Sequence, residues 1–165
     1  MKRLSIKKTQ LIITLLISAI TLSSQAIAMP FALKSLNVNQ TLTGMAGADL
    51  ATLVMIYQPD CSWCKKQGKT LSVAFDQCRG SMNIALVGTK GNARKLKKEL
   101  KHYHKHIPAF MADRKFLREI GGYQASPTTL VFNAQGELVM KKRGFIAQEK
   151  LANVMSIISK GACHL

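Results

Sequence analysis

The sequence predicts one α/β domain, a central mixed β-sheet flanked by helices. Three observations carry the prediction. Apolar, β-favouring runs alternate with stretches of helical periodicity; the last two runs are separated by a short polar turn, as in an antiparallel hairpin; and the 165 residues suffice for one hydrophobic core.

At the N-terminus, Lys2, Arg3, Lys7 and Lys8 precede an apolar run from Leu11 to Leu22, followed by Ser23-Ser24-Gln25-Ala26-Ile27-Ala28. A charged start, an apolar core too short to span a bilayer, and small residues at minus three and minus one before Met29 make a secretory signal peptide. Residues 1–28 are therefore expected to be cleaved on export to the periplasm, leaving 29–165 as the domain; an uncleaved anchor is the alternative. No cysteine lies near the cleavage site, which argues against a lipid-anchored form.

The net charge of +16 falls to +12 without the leader, which holds four basic and no acidic residues. The positive charge is concentrated between Lys90 and Lys105 and at Lys65, Lys66 and Lys69. Outside the cytoplasm nucleic acid is not an expected partner. Acidic proteins or an anionic envelope surface fit the charge, as does a merely solvated helix face.

Met29 to Asp49 alternates weakly at Phe31-Ala32-Leu33 and Leu42, which suggests an edge hairpin rather than a second domain. Thr52 to Tyr57 is a continuous apolar run ended by Gln58-Pro59-Asp60, and it predicts a buried strand. Beyond it, Cys64, Gly68, Leu71, Phe75 and Cys78 recur at helical spacing opposite Lys65, Lys69, Ser72 and Asp76, the pattern of an amphipathic helix of about four turns.

Met82 to Val87 reads as a parallel strand. Asn92 caps a following helix with Ala93, Leu96, Leu100 and Tyr103 inward and Arg94, Lys95, Lys97, Lys98 and Lys101 outward. Ile107 to Ala112 suggests a short strand, and Asp113 opens a brief helix to Ile120 that Gly121-Gly122 ends. Thr128–Phe132 and Glu137–Lys142, joined by Asn133-Ala134-Gln135-Gly136, predict the hairpin. Leu151, Val154, Met155 and Ile158 mark a last helix closed by Gly161.

The chemistry lies in Cys61-Ser62-Trp63-Cys64. Four cysteines in an exported chain usually mean two disulfides, but Cys61 and Cys64 are two residues apart whereas Cys78 and Cys163 are separated by most of the domain. A pair spanning a strand-to-helix turn can open and close without disturbing the backbone elsewhere. Cys61 stands at the helix start, where unpaired N–H groups, the helix dipole and nearby Lys65 and Lys66 favour a thiolate, so it is the expected nucleophile. Cys64, on the buried face, is the expected resolving thiol. A fixed structural disulfide and half of a zinc site are the alternatives, although the second close cysteine pair that zinc needs is absent.

The stretches Tyr57-Gln58-Pro59-Asp60-Cys61-Ser62-Trp63-Cys64-Lys65 and Ser126-Pro127-Thr128-Thr129-Leu130-Val131-Phe132 resemble thioredoxin-like proteins, over about Leu50 to Ser159. The resemblance implies a cis Ser126–Pro127 bond facing the cysteines and helping to bind substrate backbone; without it, Pro127 reads as an ordinary trans strand-entry proline. Pro127 to Asn133 with Gly136 and Gly144, the additional helix and strand between Val87 and Asp113, and the lead-in Pro30-Phe31-Ala32-Leu33 are most similar to the periplasmic TlpA/ResA branch. The chain departs from that branch at Trp63, where a proline is usual. It also lacks acids at Met55 and Thr89, positions from which a buried carboxylate helps deprotonate the resolving thiol in relatives.

In a thioredoxin-like fold the helix after Cys61 and the last helix run together away from the site, which implies a structural disulfide between Cys78 and Cys163. A reactive Cys163 beside His164 is the alternative. His102, His104 and His106, spaced by two, fall on different faces if the helix continues through them, so no metal site is expected there.

The resulting expectation is a thiol-disulfide oxidoreductase needing no cofactor, with Cys61 and Cys64 catalytic and Trp63, Ser126 and Pro127 contacting substrate. It would act as a monomer on exported cysteine-containing proteins and be recycled by a membrane redox partner. Oxidant or isomerase behaviour is favoured over reduction, because a stabilised Cys61 thiolate makes the disulfide more oxidising. Two other classes stay open: periplasmic copper handling through the same cysteines, and a binding module with a fixed disulfide.

Overall fold

The computed structural model describes residues 31–39, 42 and 49–165. The leader, 1–28, lies outside the described residues. Six strands, β1 (Lys34–Ser35), β2 (Thr52–Tyr57), β3 (Asn83–Gly88), β4 (Ala109–Met111), β5 (Thr128–Phe132) and β6 (Leu138–Arg143), form one mixed sheet in the order β1-β4-β3-β2-β5-β6. The helices are α1 (Ser62–Gln77), α2 (Ala93–Glu99), continued by a short 3-10 turn (Leu100–His102), α3 (Arg114–Glu119) and α4 (Gln148–Ile158).

β2 is the central strand. It pairs in parallel with β3 and antiparallel with β5, and all six of its residues are buried. Side chains alternate across a strand, so β2 feeds two cores. Leu53, Met55 and Tyr57 join Leu71 and Ala74 of α1, Leu96 of α2, and Leu151 and Met155 of α4. Val54 and Ile56 join Phe116 of α3, Leu130 and Phe132 of β5, and Phe31, Leu33 and Leu42 of the lead-in. Both sheet faces are therefore covered, which is what continuous apolar strands require.

Two helix starts follow from capping chemistry: Asn92 Oδ1 accepts from the Lys95 amide at 2.9 Å, and Asp113 Oδ1 from the Phe116 amide at 2.7 Å. The charged edge belongs to β6, whose Lys141, Lys142 and Arg143 discourage pairing with another chain.

Four local details differ from the sequence expectation. The lead-in forms a two-residue strand on β4 instead of a hairpin, and Asn37 completes the junction by accepting from the Ala109 amide at 2.8 Å and donating to the Ile107 carbonyl at 2.9 Å. β4 is shorter than Ile107–Ala112, although the Pro108 carbonyl and the Ala112 amide still bond to Leu86 and Gly88 of β3. The α-helical geometry of α2 stops at Glu99, so Tyr103 enters the core from beyond a 3-10 turn. On α1 the fully buried stripe is Cys64, Gln67, Gly68, Leu71 and Ala74, so Gln67 and Ala74 join the expected face and Phe75 lies at its margin.

Candidate active site

β2 delivers the chain to Gln58-Pro59-Asp60, and Cys61 then takes the N-cap position of α1 with extended dihedrals of φ −94° and ψ 101°. Its Sγ accepts from the backbone amide of Cys64 at 3.1 Å. Cys61 and Cys64 are disulfide-bonded, their Cα atoms 5.2 Å apart. Cys61 is 9 % exposed and Cys64 is completely buried, so Cys61 is the more accessible residue of a largely buried pair. An N-cap side chain faces otherwise orphaned N–H groups at the positive end of the helix dipole, and a thiolate there gains a charge-assisted hydrogen bond.

The two lysines that follow have separate engagements. Lys65 pairs with Glu99 at 3.9 Å. Lys66 places its ammonium 5.2 Å from the Trp63 ring centre and 4.8 Å from that of Phe145, two rings whose centres are 5.4 Å apart. Trp63 is 54 % exposed, so an aromatic surface borders the disulfide on this side. Phe145, from the β6–α4 loop, was invisible to sequence reasoning: no local signal links it to Trp63. The loop is held by Gln67, whose Oε1 accepts from the Ile146 amide at 2.8 Å.

Glu99 is the second residue missed. It is 6 % exposed and has a carboxylate oxygen, Oε2, without a hydrogen-bond partner. A signal existed: it is the one acid between Lys90 and Lys105, three residues after Leu96 and so on the same helix face. Met55 and Thr89 are buried as well, so the acid in this region arrives from α2 rather than from the sheet. Around Glu99, burial pushes the phenols of Tyr57 and Tyr103 well above the usual tyrosine range. For Tyr57 the neighbouring Tyr103 and then Glu99 add to the effect, and for Tyr103 Glu99 does.

The Ser126–Pro127 peptide bond is cis. Thr128 pairs with Ile56, which sets Pro127 at the end of β2 from which the cysteine segment departs, and the Gly144 amide donates to the Pro127 carbonyl at 2.8 Å. The hydroxyl of Tyr123 joins the two loops: it donates to Gln58 Oε1 at 3.0 Å and contacts the Ser126 hydroxyl. Burial raises the Tyr123 phenol, and its bond to Ser126 opposes that.

At the far end of the domain Cys78, the C-cap of α1, is bonded to Cys163, with Cα atoms 5.0 Å apart. Ser159 of the α4 terminus supports the bridge by accepting from the Cys163 amide at 2.9 Å. His104 lies 3.3 Å from Asp76 and stacks on Phe75, and among the described residues no three His, Cys, Asp or Glu side chains are grouped to hold a metal ion. No helix among the described residues is long and apolar enough to cross a membrane.

No family model and no curated protein matches the sequence. Solved structures do match. The MTB protein DsbF, in mixed oxidized and reduced forms, superposes with a TM-score of 0.68 at 15% identity, over 81% of this chain and 97% of that one. A thiol:disulfide interchange protein of the thioredoxin family from Chlorobium tepidum gives 0.67 at 14%, over 76% and 90%. A secreted disulfide oxidoreductase of Mycobacterium tuberculosis, homologous to E. coli DsbE, gives 0.66 at 12%, over 82% and 99%. With its six-stranded mixed sheet, and a cysteine pair where the central strand meets α1, this chain has the thioredoxin-like fold.

Proposed function

We propose that the chain is an exported thiol-disulfide oxidoreductase that moves electron pairs between Cys61–Cys64 and cysteine-containing proteins. The observation that carries this reading is the asymmetry of the pair: Cys61 at a helix N-cap and 9 % exposed, Cys64 completely buried in the first turn. In the oxidising direction a substrate thiolate attacks Cys61 Sγ and Cys64 leaves as a thiolate. A second substrate thiolate then attacks the substrate sulfur of the mixed disulfide and releases Cys61. Two electrons have passed to the protein and the substrate carries the new disulfide. Reduction is the same sequence reversed.

In this reading Trp63, Ser126 and Pro127 contact substrate, while the Cys78–Cys163 bridge is structural. Residues 1–28 direct export and are removed, and residues 29–165 work as a monomer reoxidised or reduced by a membrane partner. The oxidant or isomerase direction is supported by the N-cap environment of Cys61, which stabilises the reduced form, and by the absence of a carboxylate at Met55 and Thr89.

Two measurements test the proposal. Brief iodoacetamide treatment of the reduced protein at mildly acidic pH should modify Cys61 first, and modification of Cys64 first would reverse the roles. Equilibration with glutathione should place the couple above about −200 mV, whereas a value near about −270 mV would make it a reductant.

A further inference from the structure

The basic segment from Lys90 to Lys105 has no part in the electron transfer just described, yet the fold carries it to the edge of the cysteine site. α2 and the 3-10 turn pack beside the first turns of α1 and enclose a cleft of about 290 Å³. One wall is Pro59-Asp60, directly before Cys61, and Lys65, whose amide donates to the Cys61 carbonyl at 3.1 Å. The other wall carries Lys95, Lys98 and Lys101. Asp60, which lines the cleft, immediately precedes Cys61 in the chain.

Its charge is mixed but predominantly positive. Four lysines stand against the carboxylates of Asp60 and Glu99, a surplus of two positive charges among these residues. Glu99 is buried and paired with Lys65, which leaves Lys95, Lys98 and Lys101 against Asp60. Arg94 and Lys97 add positive charge on the same helix. A surface of net positive charge raises the local concentration of acidic chain and speeds its encounter.

We propose that this cleft is a substrate subsite for acidic polypeptide, selecting cysteines with Asp or Glu about two to five residues away in extended chain. At roughly 3.3 Å per residue, two to five residues of extended chain reach about 7 to 17 Å. The inference rests on the exchange reading above and supplies its substrate class. The lysines position the substrate, and Cys61 remains the reacting group.

The test is single-turnover oxidation of dithiol peptides by the disulfide form of the protein, followed by free-thiol titration. The peptides are identical except for acidic, neutral or basic residues around one cysteine. The acidic peptide should react roughly tenfold or more faster than the neutral one at low ionic strength, and 0.5 M salt should remove most of that ratio. The triple variant Lys95→Glu, Lys98→Glu, Lys101→Glu should bring the ratio to one or below. Arg79→Glu, Arg118→Glu, Lys160→Glu, the same charge change at exposed sites outside the cleft, should preserve it.

Equal rates for acidic and neutral peptides in the native protein would overturn the subsite. So would equal loss of preference in both triple variants, which would reduce the effect to net charge. If the ratio were one while anionic lipid vesicles bound the protein through these lysines, the cleft would belong to a membrane surface and the proposal would fall. Oxidation of no peptide at all would overturn the exchange reading itself, a result distinct from exchange without selectivity.

Discussion

The amide of Ile146 donates a 2.8 Å hydrogen bond to the side-chain carbonyl of Gln67, fastening the loop that carries Phe145 to the helix that carries Trp63. Gln67 is completely buried and its Nε2 has no hydrogen-bond partner. Gln67→Leu therefore has two opposing effects: it strands a buried amide and it relieves a stranded one. The net loss of stability is expected to be about 1 kcal/mol, at the low end for a buried hydrogen bond. The larger effect should be local, a change in Trp63 fluorescence as Phe145 loses its fixed position. Urea melts and emission spectra of the variant check both, and an unchanged spectrum would count against the pinning role.

Gly68 lies where α1 meets Tyr103, and a Cβ there would overlap the Tyr103 ring. Gly→Ala inside a helix ordinarily stabilises by about 0.5–1 kcal/mol. Here overpacking against a rigid ring should reverse the sign and cost about 1–3 kcal/mol. Gly68→Ala combined with Tyr103→Leu should recover part of the loss, since the ring is the obstacle. A double-mutant cycle by denaturant unfolding measures this coupling, and strict additivity would refute it.

The Cys78–Cys163 bridge joins residues 85 positions apart, closing most of the domain into a loop. Replacing both cysteines by alanine should cost about 4–5 kcal/mol in the chain-entropy model. The Cys61–Cys64 potential should not move, because the bridge ties the opposite ends of α1 and α4. A loss below about 1 kcal/mol would mean that the unfolded chain is little constrained by the bridge.

Alkaline pH should expose the buried phenols. Tyr57 and Tyr103 ionise well above the usual range when folded, but near pH 10 in the unfolded chain. Above about pH 10 the unfolded state thus binds fewer protons than the folded one, and stability must fall as pH rises. Below that window both states are protonated and the effect vanishes. Tyr57→Phe and Tyr103→Phe should each flatten the alkaline decline. At neutral pH they should differ: Tyr57 loses its 3.2 Å bond to the Leu96 carbonyl, at about 1 kcal/mol, whereas the Tyr103 hydroxyl is unpartnered and its removal should be neutral or stabilising. Denaturant melts between pH 7 and pH 11 read both effects.

What was legible in the sequence is what neighbouring residues decide. The run Thr52–Tyr57 coincides with β2 and Thr128–Phe132 with β5, because continuous β-favouring residues bounded by breakers leave little choice of state. Asn92 and Asp113 cap their helices through amides only three residues away. The cysteine pair and the strand that leads to it can likewise be read in one stretch of chain.

The surroundings of that pair could not be read so, and the reason is distance along the chain. Phe145 meets Trp63 only because β5 and β6 return beside β2, and Gln67 reaches Ile146 across 79 positions. Glu99 drew no reading from the sequence, and its burial beside Lys65 of α1 comes from the packing of the helices. Periodicity and capping determined the α/β elements and the place of Cys61 and Cys64 between them. Sheet order and helix packing alone decided which distant side chains enclose the sulfurs, since those contacts depend on the relative placement of whole elements and leave no short-range pattern.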